Sequence, residues 1–142
     1  MPTRTSDAEW HGNLRGGRGH MRFGGGAYDG EFTFASRFSD GGGTNPEELI
    51  AAAHAGCYAM ALSADLTEAG FKPEVVRASA AVHLDMVDGT PTIALIELTV
   101  GAKVPDIDNA RFQQIAEGTK KGCPVSRALG AVKITVDASL EK

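Results

Sequence analysis

The order of apolar patterns along this chain predicts an α+β fold, because strand-like and helix-like segments are gathered into blocks instead of alternating one by one. Three observations carry that reading. The first forty residues are rich in glycine and alternate with a period of two; a long alanine-rich stretch then steps by threes and fours; and two extended runs, "VVRASAAVHLDMV" and "TIALIELTVGAKV", flank a "DGTP" turn.

Taken in order, Ala8, Trp10, Gly12 and Leu14 share one side of a first strand, and Met21–Phe23 and Phe32–Phe34 continue the same period. With "GGRG" and "GGGAYDG" as turns, they make an antiparallel meander of three short strands. After the loop "SDGGGTN", Leu49, Ala53, Cys57, Met60 and Ala64 repeat at helical spacing, with Thr44 or Asn45 placed to cap the helix and Pro46 suited to its first turn. Gly70, followed by Pro73, ends it. The long hairpin comes next. A second helix over about 108–120 buries Phe112, Ile115, Ala116 and Thr119, and carries acids at its start and lysines at its end, as the helix dipole favours. "CPVSRAL" forms a turn into a last strand, "AVKITVDASL". The expected order is βββαββαβ on antiparallel sheet. The central helix holds so many alanines that it must pack closely on several sides, and burial in a dimer is the natural way to surround it.

Composition narrows the function. The 142 residues suit a single domain, 1–142, and a formal charge of −4 with scattered basic residues argues against a nucleic-acid partner. No run of 18 apolar residues and no apolar leader is present, so a soluble cytoplasmic protein is expected, without a membrane partner. Cys57 and Cys123 show neither C-x-x-C spacing nor a Cys/His cluster of zinc-ligand spacing.

A lone cysteine on an apolar helix stripe is ordinarily core filler, which is the plain reading of Cys57. Cys123 changes the balance. Pro124 at a first helical position places Cys123 at the cap, where free backbone N–H groups favour a thiolate. A reactive thiol also needs a cation and something to hold that cation. Arg37 and Glu47 stand on either side of a glycine bend that could fold the arginine back, and the guanidinium fork suits a carboxylate while keeping further N–H donors. A surface ion pair is the bland alternative. His54, one turn before Cys57, reads as a packed or interface histidine more than as a base, and Glu48 as a solvated or interface carboxylate.

At these residues the chain resembles a known family. "SRF" (Ser36–Phe38), "GTNPEELIAAAHAGCYAMALS" (Gly43–Ser63) and "CPVSRAL" (Cys123–Leu129) are similar to the osmotically inducible protein C (OsmC) and organic hydroperoxide resistance (Ohr) family. The likeness extends from Trp10 to the last strand. The arginine of "SRF" fits the OsmC branch; "GGRG" offers Arg18 as the other candidate, from the turn the Ohr branch uses.

The resemblance implies an OsmC-like fold, an intertwined homodimer with two sites at the subunit interface, and a thiol peroxidase without metal, flavin or haem. It implies that Cys57 is the peroxidatic thiol, that Cys123 resolves its sulfenic acid to a Cys57–Cys123 disulfide, that Arg37 holds the thiolate and polarises the peroxide, and that Glu47 orients Arg37. Organic hydroperoxides are the implied substrates, in preference to hydrogen peroxide, and a dithiol, such as a lipoyl group on a protein, the implied reductant. A non-enzymatic dimer that senses redox state or binds a hydrophobic ligand is the competing reading. Helix geometry adds one expectation: if Glu47 to Cys57 is unbroken helix, ten residues separate their Cα atoms by roughly 15 Å, and antiparallel packing of two copies would set Arg37 and Glu47 of one chain beside the cysteines of the other.

Overall fold

The computed structural model describes all 142 residues, Met1–Lys142, and the chain divides into two compact units, Met1–Leu49 and Ile50–Lys142. In the first unit β1 (Asp7–His11), β2 (Arg18–Phe23) and β3 (Tyr28–Thr33) form the antiparallel meander in the order β1-β2-β3. Its apolar face is aromatic. Trp10 and Phe32 lie 5.4 Å apart between ring centroids, and Gly19 is needed beneath them, because a Cβ there would come within 2.5 Å of the Phe32 ring. The first strand is shorter than its alternation suggests: Gly12 turns at φ +92° and Leu14 lies beyond the strand, exposed.

A short helix, α1 (Phe34–Phe38), follows β3 and was not legible as a separate element. It starts at a capping box, in which Ser36 N–H donates to Thr33 Oγ1 and Thr33 N–H donates to Ser36 Oγ. The loop after it is tied back. Ser36 Oγ donates to the carbonyl of Thr44 at 2.8 Å, and Asn45 Nδ2 donates to the carbonyl of Ser36 at 2.9 Å. Gly43 makes that fold-back possible, with φ +96° and only 2.8 Å between the place a Cβ would take and the Glu31 carbonyl oxygen. Gly43→Ala is therefore expected to destabilise the protein by about 2 kcal/mol or more, combining left-handed strain with a backbone clash; urea denaturation of the variant reads this directly.

The long helix α2 (Pro46–Glu68) starts at Asn45, whose Oδ1 accepts from Glu48 N–H at 2.8 Å. Its end is a Schellman motif, with Phe71 N–H donating to the Leu66 carbonyl and Gly70 N–H to the Thr67 carbonyl, Gly70 having φ +95°. The face that α2 buries differs from the expected one. His54, Tyr58, Leu62 and Leu66 are buried at steps of four, whereas Ala53, Met60 and Ala64 are exposed and Met60 is 78% exposed. Alanines weight both sides of a helix alike, and the bulkier residues take the core. By length and composition α2 could cross a bilayer, with a mean hydropathy of 1.3 over its most apolar window, of which only 22% is buried.

In the second unit β4 (Val75–Val87) and β5 (Thr90–Lys103) form the long hairpin around Asp88 and Gly89, both with positive φ, as a two-residue primed turn requires. The helix α3 (Asn109–Gly122) buries Phe112, Ile115, Ala116 and Thr119 as expected, and its cap is Asp108, whose side chain accepts from Arg111 N–H. After α4 (Pro124–Ala128), β6 (Lys133–Leu140) joins the sheet beside β5. That pairing is parallel, which corrects the expectation of antiparallel sheet throughout; the intervening α3 and α4 supply the crossover that a parallel neighbour needs. Tyr58, Leu62 and Leu66 of α2, Leu98, Val100 and Ala102 of β5, Phe112 and Ala116 of α3, and Cys123 share one core.

Candidate active site

In the second unit the fold sets the two thiols side by side. Cys57, part-way along α2, and Cys123, between α3 and α4, have sulfurs 3.2 Å apart, with the Cys123 thiol donating to Cys57. Both are free. Cys123 is fully buried and is the N-cap of α4, with Pro124 at the first helical position, as the sequence predicts. Cys57 is half-buried.

The two thiols differ in acidity. Burial pushes the Cys57 thiol up; the Val125 N–H offsets part of this, and proximity to Cys123 adds to it. For Cys123, burial works in the same upward direction but is outweighed: the Ser126 N–H, the Cys57 thiol, the Ser126 hydroxyl and the Val125 N–H all favour the thiolate, and its pKa is lowered. Within this unit Cys123 is the more acidic thiol. Tyr58, beside them, is pushed up, mainly by burial, and its hydroxyl donates to the Ala116 carbonyl at 2.8 Å.

In the first unit Arg37 and Glu47 form a two-pronged ion pair. Arg37 Nη2 donates to Glu47 Oε1 at 2.8 Å and Nε to both carboxylate oxygens at 3.2 and 3.3 Å, which leaves Nη1 without a hydrogen bond. Glu47 is 8% exposed, so the pair is sheltered on its acidic side. Asn45 explains why the partners meet: one side chain caps α2, which carries Glu47, and holds α1, which carries Arg37. Arg18, the other candidate, pairs with Glu31 at 3.0 Å on the exposed face of the meander. Glu48 is exposed and accepts from Thr44 Oγ1.

A cavity of about 400 Å³ in the same unit is walled by Trp10, Leu14, Phe32, Phe34 and Phe38, and Arg37 contributes to it. The Phe34 and Phe38 rings lie 4.8 Å apart between centroids, tilted by 39° to each other, and the Arg37 guanidinium lies 5.3 Å from the Phe38 ring centre. From their spacing Trp10, Phe32 and Phe34 read only as strand residues, and Phe38 stands only within the "SRF" motif. Back in the second unit, His54 is the packed histidine its position suggests, fully buried, but it is bonded through Nε2 to Ser126 Oγ at 2.7 Å. Ser126 lies within the "CPVSRAL" motif, but nothing there gives it a role, and no spacing rule pairs residues so far apart in the chain.

A chain with two three-stranded sheets, a long small-residue helix and a pair of thiols in contact defines a dithiol protein of the α+β class. Residues 39–137 match the family model of OsmC-like proteins. The chain is 44% identical over 135 residues to the peroxiredoxin OsmC of Escherichia coli K12, covering 94% of each chain. It is 33% identical over 98 residues to an organic hydroperoxide resistance protein of Xanthomonas axonopodis pv. citri, covering 68% of this chain and 67% of that one. The crystal structure of an organic hydroperoxide resistance protein from Elizabethkingia anophelis shares the fold, with a TM-score of 0.76 at 23% identity over 99% of both chains. The protein belongs to the OsmC family.

Proposed function

We propose that this protein is a cysteine-based peroxidase that reduces organic hydroperoxides to alcohols. The observation that carries the reading is the contact of two free thiols at 3.2 Å in an apolar core, in a chain 44% identical to a peroxiredoxin. The Cys57 thiolate attacks the terminal peroxide oxygen; the O–O bond breaks, Cys57 becomes a sulfenic acid and the alkoxide leaves with a proton as alcohol. The Cys123 thiolate then attacks the sulfenic sulfur, the S–S bond forms, and hydroxide takes a proton and leaves as water. A dithiol reductant, for which a lipoyl group is the chemical type, restores both thiols by exchange.

Burial alone leaves Cys57 a weak acid, so this role needs a cation. Arg37 is the cation, and Glu47 fixes its fork while Nη1 stays available for the sulfur or a peroxide oxygen. Because α2 runs unbroken from Pro46 to Glu68, Glu47 and Cys57 of one helix stand roughly 15 Å apart. We place Arg37 of the partner subunit beside Cys57 in a homodimer with two shared sites. The exposed face of α2 supports such an assembly. Ala59, Met60, Ala64, Pro73, Val75 and Val76 line a groove of about 780 Å³ together with Ser63, Thr67, Glu68 and Glu74, an apolar surface with a polar margin that a second copy would cover.

The aromatic cavity beside Arg37 favours a peroxide with a hydrocarbon or aryl tail over hydrogen peroxide. The family match crosses the boundary between the two units and supports reading residues 1–142 as one domain. We place the enzyme in the cytoplasm, where a cysteine pair is kept reduced between turnovers. The test is peroxide consumption with a dithiol present, comparing an aryl hydroperoxide with hydrogen peroxide. The expected result is turnover of both with a higher kcat/KM for the aryl substrate. Oxidation of the pair without repeated turnover would instead support a redox sensor, and tight binding without oxidation a ligand-binding dimer.

A further inference from the structure

One buried polar pair has no part in the mechanism above. His54, fully buried on α2, and Ser126, 4% exposed in the first turn of α4, are joined at 2.7 Å through Nε2 and Oγ. The other ring nitrogen of His54, Nδ1, is buried without a partner. An unpaired polar atom in a dry core costs stability, and a leucine of similar volume would avoid that cost. The pair also stands at both thiols: His54 precedes Cys57 by one helical turn, and Ser126 is the third residue after the N-cap Cys123.

The chemistry of the hydroxyl decides what the pair can do. Ser126 has one O–H proton; its oxygen is bonded to His54 Nε2 at 2.7 Å, and it stands in the first turn of the helix that Cys123 caps, where its hydroxyl favours the Cys123 thiolate. If the proton goes to the histidine, the sulfur loses a donor. Burial pushes the His54 imidazole down, so at neutral pH it is uncharged and carries a single N–H. With that N–H on Nε2, the histidine donates to Ser126 Oγ, and the hydroxyl proton is free to turn to the sulfur.

We propose that His54 is a positioning residue for Cys123: its Nε2–H donates to Ser126 Oγ, which aims the Ser126 hydroxyl at the Cys123 sulfur and readies it as the thiolate that attacks oxidised Cys57. The inference rests on Cys123 being the resolving thiol. His54 keeps its proton throughout; the proton lost by Cys123 ends in the water formed when hydroxide leaves the Cys57 sulfenic acid. The other titratable groups about the pair are Cys57 and Tyr58 from α2, with Asp65 of α2 and Glu117 of α3 acting on Tyr58. Tyr58 is pushed up and stays neutral, so the acidity of Cys123 can be followed with Cys57 removed.

The experiment has two arms. In a Cys57→Ser background, ultraviolet thiolate absorbance is titrated with pH for Ser126→Ala, His54→Leu and His54→Gln. Each of the first two is expected to raise the pH of half-ionisation of Cys123 and to lower its thiolate fraction at neutral pH by about tenfold, the worth of one hydrogen bond to an anion. A glutamine amide can reproduce the Nε2 donor, so His54→Gln is expected to restore most of the thiolate, whereas His54→Leu keeps or raises the thermal midpoint without restoring it. In the protein with both cysteines, closure of the disulfide after one equivalent of alkyl hydroperoxide slows in the same proportion, while the first oxidation of Cys57 keeps its rate. An unchanged Cys123 titration in both Ser126→Ala and His54→Leu, or a His54→Gln as impaired as His54→Leu, overturns the proposal. If the unsubstituted protein consumes no peroxide, the peroxidase reading fails instead, and the titration still decides the role of His54.

Discussion

Cys57→Ser is expected to abolish peroxide turnover, whereas Cys123→Ser should permit one oxidation per site and then stall. Chemistry and electrostatics point to different thiols here. Within its own unit the Cys123 thiol is pushed down, its burial outweighed by the influence of Ser126, Cys57 and Val125, and Cys57 is the thiol that burial raises. Acidity alone would therefore choose Cys123 as the attacking thiol. Access favours Cys57, which is half-buried where Cys123 is wholly so, and so does the cation that the proposed mechanism sets beside it. Counting oxidations with a thiol reagent after a single equivalent of hydroperoxide separates the two outcomes. A Cys57→Ser chain that still takes up one oxygen, beside a Cys123→Ser chain that does not, would reverse the assignment.

Arg37→Ala should slow the first oxidation by at least tenfold, since about 1.4 kcal/mol of differential stabilisation of a thiolate already gives that factor. Stopped-flow measurement of the first oxidation reads it. Where this arginine acts is tested by mixing. A Cys57→Ser chain paired with an Arg37→Ala chain carries, under the shared-site arrangement, one site with both substitutions and one site with neither. Random exchange of the two variants should then recover about a quarter of the unsubstituted activity, half of the dimers being mixed with one working site each. Mixed dimers as inactive as their parents, with exchange confirmed by mass, would place Arg37 and Cys57 in one chain.

The parts legible in the sequence were those written in local chemistry. Asp108, the three-and-four spacing of Phe112, Ile115, Ala116 and Thr119, and the terminal lysines define α3 without reference to anything distant, and the structure agrees. Asp88-Gly89 similarly fixes the hairpin of β4 and β5. The buried face of α2 was not legible, because Ala53 and Ala64 carry little apolar weight and the alternative stripe through Tyr58 and Leu62 is interrupted by a histidine. The parallel place of β6 beside β5 depends on how α3 packs, which no pattern within β6 records. For the site, the pairing of Arg37 with Glu47 and the cap position of Cys123 were readable from a glycine bend and a proline. The His54–Ser126 bond joins positions 72 apart and exists only once α2 and α4 meet.

Peroxide is expected to drive Cys57 and Cys123 into one disulfide through Cys57. Intact-mass analysis of the protein treated with one equivalent of an aryl hydroperoxide, followed by peptide mapping without reduction, tests it most directly. Loss of two hydrogens and a linked peptide joining Cys57 to Cys123 are expected, with one oxygen gained instead when Cys123 is replaced by serine. Two thiols that stay free while peroxide is consumed, or a disulfide that forms between chains in place of the Cys57–Cys123 link, would contradict it.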